Sequence, residues 1–311
     1  MQYTQLGRTG IRVSRVAFGA GPVSGLLTGS DEAAQMATVR RAVQCGINWF
    51  DTAAGYGKGQ SEIGLGRALA ALDPAPETPI HVATKVRIVF DTEETILSQV
   101  MRGIEESLKR LQLPAVTLLQ LHNGITNQRG DEPFSVSPDD ILSTNGILEA
   151  LNQVRERGLT RHIGLTGTGH PEALRRVIQS GAFETIQLPY NVLNPSAGLL
   201  MPADFDDRNY GNILEDCQHA KMGVFAIRVF AGGALLGQAP SAHTLTTPFF
   251  PLALYERDAA QAREISERLG IRDLTGYSLR FSLSHPAVHS AIIGFGTPEH
   301  VTSACCSVPS S

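Results

Sequence analysis

The chain has 311 residues, 42% of them hydrophobic and 18% charged, with a formal net charge of -4. That length suits one large α/β domain with a substantial buried core, and the slightly acidic balance gives no reason to expect nucleic acid or a membrane surface as partner. No apolar stretch is long enough to span a bilayer, and Met1-Gln2-Tyr3-Thr4-Gln5 lacks the charged and apolar regions of a signal peptide, so a soluble cytoplasmic protein is expected.

Residues 3–14 alternate around a Gly/Thr turn, as a β-hairpin would. Val16-Ala17-Phe18-Gly19 is a short apolar strand, and a helix follows from Asp31-Glu32 to about Cys45, stopped by Gly46. The apolar run Gly46-Ile47-Asn48-Trp49-Phe50 ends abruptly at Asp51. A glycine-rich turn then carries Tyr56, and a helix starts near Ser61-Glu62 and continues to about Leu72. Pro74, Pro76 and Pro79 break the chain. A third strand over 80–86 has Lys85 at its C-terminal end, an amphipathic helix covers 92–111, and a fourth strand over 116–121 ends at His122. The polar stretch 123–143 reads as a long loop, a length that in compact domains is usually functional or disordered. Then come a helix over 147–157, a strand over 162–166, a helix opened by Pro171, and a strand over 185–190. A helix over 212–222, a strand over 224–229 and a second long loop over 230–254 follow. Helices over 256–269 and 274–284, a strand over 290–294 and a last helix from Thr297-Pro298-Glu299 complete the pattern. Eight short apolar strands, each followed by a helix after an N-terminal hairpin, predict a single (β/α)8 TIM barrel with long βα loops, occupying 1–311 as one domain.

The four cysteines, Cys45, Cys217, Cys305 and Cys306, show no zinc-type spacing and read as buried or incidental thiols. Four polar groups fall at or just past the ends of three neighbouring strands: Asp51, Tyr56, Lys85 and His122. Singly, each has an ordinary reading. Asp51 serves equally well as a helix N-cap, Tyr56 as a rim residue, Lys85 as a solvated strand end and His122 as a loop residue. Together they make a chemical set. A buried ammonium beside a phenol favours the phenolate, a carboxylate keeps the ammonium charged, and an imidazole can donate to a carbonyl oxygen. Such a set suits proton transfer to an oxygen that gains charge as a hydride arrives. It does not suit a metal, which wants several converging His or carboxylate ligands. A metal-dependent barrel hydrolase also fails at the first barrel strand, which offers no ligands.

Over nearly its whole length the chain resembles the aldo-keto reductase superfamily. Phe50-Asp51-Thr52-Ala53 with Tyr56-Gly57, then Ser61-Glu62 and Leu65-Gly66, matches its best-known signature, and Thr84-Lys85 and Leu121-His122 match two further motifs. The resemblance implies Tyr56 as general acid/base, Lys85 and Asp51 as its tuning pair, His122 as the carbonyl-orienting group, and NADP(H) or NAD(H) bound across the barrel mouth. It implies cofactor contacts at Thr166 (followed by Gly167 in place of the family's Asn), at Gln187 and at Arg228, which with Ile227 stands where many members carry a stacking aromatic. It further implies contacts at Gly232, Gly233 and Leu235 in a glycine-rich pyrophosphate loop, and at Gly294, Gly296, Thr297 and His300 ahead of the last helix. The family often has a basic residue in that last segment; here residues 294–304 contain no Arg or Lys. The family's last helix also continues further, so the wall beside the last and first strands is expected to be exposed, packed differently or covered by a partner in a homo-oligomer. The function implied is an NAD(P)-dependent oxidoreductase of a small-molecule aldehyde, ketone or sugar, with similarity to sugar 1-dehydrogenases. The alternative is a cofactor-sensing regulatory module with slow turnover. Stretches 21–29, 123–143 and 230–254 would shape the substrate pocket.

Overall fold

The computed structural model describes residues 1–73, 78–247 and 249–308; the break at Pro74 and Pro76 and the end of the tail at Pro309-Ser310-Ser311 lie outside the described residues. Strands β1 (Tyr3–Gln5) and β2 (Arg12–Ser14) pair antiparallel as the expected hairpin. The chain then alternates through β3 (Val16–Gly19), α1 (Glu32–Gln44), β4 (Trp49–Asp51), α2 (Gln60–Ala70), β5 (His81–Val86), α3 (Ile96–Leu111) and β6 (Val116–Leu121). It continues through α4 (Pro138–Leu142), α5 (Ile147–Glu156), β7 (Thr160–Thr166), α6 (Pro171–Gln179), β8 (Thr185–Pro189), α7 (Ile213–His219) and β9 (Gly223–Ile227). Helices α8 (Leu252–Leu269) and α9 (Thr275–Ser284), strand β10 (Ser290–Gly294) and helix α10 (Pro298–Ser307) complete it. β3 to β10 pair in parallel and close on one another, β10 lying between β9 and β3, so the eight-stranded barrel is present as expected.

Apolar periodicity explains how the helices cover the barrel. In α3, Val100, Ile104, Leu108 and Leu111 recur at helical spacing and are buried; each such side chain contributes about 1.5–3 kcal/mol relative to leaving it in water. A second cluster, Leu6, Val13, Ala17, Trp49, Ala83, Leu118 and Phe225, joins the hairpin to the barrel interior. The hairpin closes the N-terminal ends of the strands. Asn48, just before β4, accepts from the Ser14 amide at 2.8 Å and donates to the Arg12 carbonyl at 2.9 Å.

Departures from the sequence reading have local causes. Residues 46–48 are not strand: Gly46 has φ 82 and Asn48 serves the hairpin. Helix α3 starts at Ile96, where the Thr95 hydroxyl accepts from the Ser98 amide. The stretch 123–143 is ordered. Ile125 bridges Val136 and Gly169, and Ser137 and Asp140 form a capping box that starts α4, with Pro138 in its first turn. Helix α8 begins at Leu252, inside the stretch expected to be loop, and a 3-10 turn occupies Ala231–Leu236. Among the described residues no helix is long and apolar enough to cross a membrane.

Candidate active site

Asp51 is the last residue of β4 and is buried. The chain beyond it is fixed by hydroxyls: Thr52 and Ser61 lie 2.7 Å apart, and Ser61 donates to the Ala20 carbonyl at 2.8 Å. A 3-10 turn over Tyr56–Gly59, with Gly57 and Lys58 at φ 58 and 54, reverses the chain into α2. Glu62, one turn into α2, is fully buried. It accepts from the Thr84 hydroxyl at 2.5 Å and from Arg110 Nε at 2.6 Å. With Thr84 held against α2, strand alternation turns Lys85 to the barrel interior.

There Lys85 Nζ donates to Asp51 Oδ2 at 2.5 Å, to the Thr52 carbonyl at 2.9 Å and to the Tyr56 hydroxyl at 3.3 Å. These use all three of its protons. Burial alone would lower the Lys85 pKa, but the Asp51 carboxylate and the Tyr56 oxygen outweigh it and the net shift is upward, so the side chain stays an ammonium. The other Asp51 oxygen, Oδ1, accepts from Gln120 Nε2 at 3.0 Å and Gln187 Nε2 at 2.5 Å. The carboxylate is thus held by side chains from β5, β6 and β8. His122 begins the loop after β6, its amide bonded to the Val86 carbonyl at 2.8 Å. Its half-buried ring meets the Tyr56 ring edge-on, centroids 5.7 Å apart at 81°. Burial, with the charges of Lys85 and Arg87, pushes its pKa well below 6.5. At neutral pH it is therefore a neutral imidazole, able to donate an N–H without giving up a proton.

The structure thus gathers Asp51, Tyr56, Lys85 and His122 into one cluster, with Gln187 inside it. The other expected positions lie further round the mouth. Thr166, paired in register with Gln187, is buried, and its hydroxyl has no hydrogen-bond partner. Arg228, just past β9, has φ 56; its guanidinium is 2.9 Å from Asp258 and stacks 4.1 Å from the Phe250 ring centroid. A small cavity joins Arg228 to Gly232, Val23, Phe250 and Tyr255. Gly232 and Gly233 have φ 70 and 103, which presents their backbone as only glycine does readily. The Leu235 side chain packs instead into a satellite core with Tyr255 and Leu274. Gly294 lies near Ser24 of the β3 loop, and Gly296 near the His300 ring. The Thr297 hydroxyl accepts from the His300 amide at 3.4 Å at the start of α10. A hydrogen bond from that same hydroxyl, with one from its own amide, holds Glu299 below the usual carboxylate range.

These residues fit a nicotinamide dinucleotide. The orphaned Thr166 hydroxyl offers a bond to a carboxamide, the 232–233 backbone can approach a pyrophosphate, and the α10 N-terminus offers amides to an anion. Three contributors were not anticipated from sequence: Gln120, the one amide in its strand; Arg87, two residues beyond Lys85; and Asn123, which ties the backbone beside them.

Comparison with known proteins agrees. L-galactose dehydrogenase of Arabidopsis thaliana is 28% identical over 307 residues, covering 95% of this chain and 84% of that protein. D-threo-aldose 1-dehydrogenase of a Pseudomonas species is 25% identical over 322 residues, covering 94% and 88%. The holo form of an aldo-keto reductase from Bacillus halodurans superposes with a TM-score of 0.73 at 20% identity, covering 100% of this chain and 92% of the other. The sequence profile of the Aldo/keto reductase family matches residues 15–307, so the chain belongs to that family of NAD(P)-dependent oxidoreductases of carbonyl and sugar substrates.

Proposed function

We propose that Tyr56 carries the proton of this oxidoreduction. The observation behind the reading is the Lys85 ammonium, which donates to Asp51 and to the Tyr56 hydroxyl at once. In the reducing direction Tyr56 gives its proton to the substrate oxygen as charge develops there, and Lys85 offsets the negative charge left on the phenol oxygen. In the oxidising direction Tyr56 accepts that proton. The neutral His122 donates an N–H to the same substrate oxygen and orients it. Asp51 acts through Lys85, keeping it charged and aimed. The nicotinamide supplies or accepts the hydride when bound. Thr166 would receive the carboxamide, the backbone at Gly232 and Gly233 the pyrophosphate, and Thr297 with the first turn of α10 the far end of the dinucleotide.

The names of the two relatives support a sugar hemiacetal carbon among the substrates. The test follows absorbance of reduced nicotinamide with aldehydes, ketones and free sugars, using both cofactors. Turnover of at least one carbonyl or sugar class, lowered on the order of 10²–10⁴-fold in Tyr56→Phe, is the expected result. Wild-type-like turnover in that variant would overturn the assignment of Tyr56.

A further inference from the structure

Arg87 is the first residue past β5, two positions beyond Lys85. It is close enough to bear electrostatically on both Tyr56 and His122. Its guanidinium lies between two rings, 5.2 Å from the Phe134 centroid and 5.4 Å from that of Phe249. Among the described residues no carboxylate pairs with it, and its Nε is buried without a hydrogen-bond partner. Other arginines on this face are neutralised: Arg228 by Asp258, and Arg129, stacked on Phe90, by Asp140. A guanidinium partly withdrawn from water with no counter-charge is unfavourable, and a bound anion would relieve it.

The surroundings are built to hold this arrangement. Asn123, buried, accepts from the Ile88 amide at 2.8 Å and donates to the Ile88 carbonyl at 2.9 Å and the Phe134 carbonyl at 2.7 Å. Gln99 makes the same two-way clamp on Val89, at 2.9 and 2.8 Å. One amide thus ties the backbone of Ile88, the residue after Arg87, to that of Phe134. Phe134 has φ 60, a left-handed backbone that a bulky residue adopts at a cost, and the residue is 53% exposed. Its ring lies over the Arg87 guanidinium.

We propose that Arg87, held between Phe134 and Phe249, binds a carboxylate on the substrate, so that the enzyme acts on carbonyl compounds that also carry an acid group, such as aldehyde acids or uronic acids. This rests on the reading of Tyr56 and His122 as the groups that meet the carbonyl. Of its polar atoms only Nε is buried without a partner, which leaves the terminal N–H groups for a two-pronged grip on a planar anion.

The test compares 5-oxopentanoate with its uncharged methyl ester, and measures inhibition by glutarate, which has no carbonyl to reduce. In the wild type kcat/KM should be at least tenfold higher for the acid. Arg87→Gln should lower the acid's kcat/KM by about 10–100-fold, chiefly through KM, and weaken glutarate by a similar factor, since bonds to a charged partner contribute about 1.5–3 kcal/mol. The ester should lose much less, and Arg87→Lys should recover part of the effect. Equal turnover of acid and ester by the wild type, with glutarate inert, would overturn this inference alone. No turnover of any carbonyl would overturn the oxidoreductase reading and this inference with it.

Discussion

The Thr84 hydroxyl donates to Glu62 at 2.5 Å, one residue before Lys85. Through that bond a helix residue sets which way the lysine points. Glu62 is fully buried while its other partner, Arg110, is 23% exposed, so removal leaves one donor stranded and one partly able to find water. Glu62→Ala should cost about 2–4 kcal/mol, toward the lower side of losses for a broken buried pair. It should also lower kcat, because Lys85 loses its support. Thermal unfolding and steady-state rates measured together check this; a midpoint within about 1 °C of wild type would contradict it.

Tyr56→Phe removes only the hydroxyl. Turnover should fall on the order of 10²–10⁴-fold, the usual worth of acid–base catalysis. Cofactor affinity, measured by fluorescence titration, should change little.

Lys85→Met keeps length and removes charge. It leaves Asp51 buried with only the two glutamine amides, so stability and turnover should both fall. Adding Asp51→Asn should restore much of the stability but none of the activity, which separates the two roles. The raised Lys85 pKa also fixes a sign. Its stabilising contribution is complete below the ordinary value of 10.5 and is lost as pH rises past the raised one. The alkaline fall in wild-type stability should therefore be smaller in Lys85→Met. An unchanged alkaline limb would contradict the pairing.

His122 is depressed well below 6.5, so the unfolded chain takes up a proton near 6.5 that the folded chain refuses. Stability from this group is complete above that value and is lost as pH falls toward the depressed one. Between about pH 7 and pH 5 the wild type should lose more stability than His122→Gln. His81 and His289, also lowered by burial, contribute equally to both proteins and cancel in the comparison. Parallel melting curves at each pH would refute the shift.

A 2′-phosphate is normally gripped by Arg or Lys. Residues 294–304 contain neither, Arg228 is paired with Asp258, and Glu299 folds back onto the α10 N-terminus. Discrimination between NADP(H) and NAD(H) should stay below about 100-fold in kcat/KM, or roughly 2.7 kcal/mol. A thousandfold preference for the phosphorylated cofactor would mean that another cation reaches the site.

Strands and helices were legible because glycine and proline mark their ends and their apolar periods differ. Asp51, Tyr56, Lys85 and His122 were legible because each stands at or just past a strand end, where a polar residue interrupts an apolar run. Gln187 was singled out, but its bond to Asp51 spans 136 residues, a separation no local pattern encodes. Gln120 is the one amide in a buried strand, a signal that could have been read as a partner for something charged inside the barrel. Helix α4 was hidden in polar sequence, although Ser137-Pro138-Asp139-Asp140 carries both a cap and a first-turn proline. Arg87 lies just past the strand, where alternation gives no direction, and its isolation from any carboxylate exists only in three dimensions.

The hairpin stopper at the base, under a tightly filled interior, makes the barrel a cup rather than a tube. Traffic has a single doorway. A product leaving the rim must vacate the same space the next substrate needs.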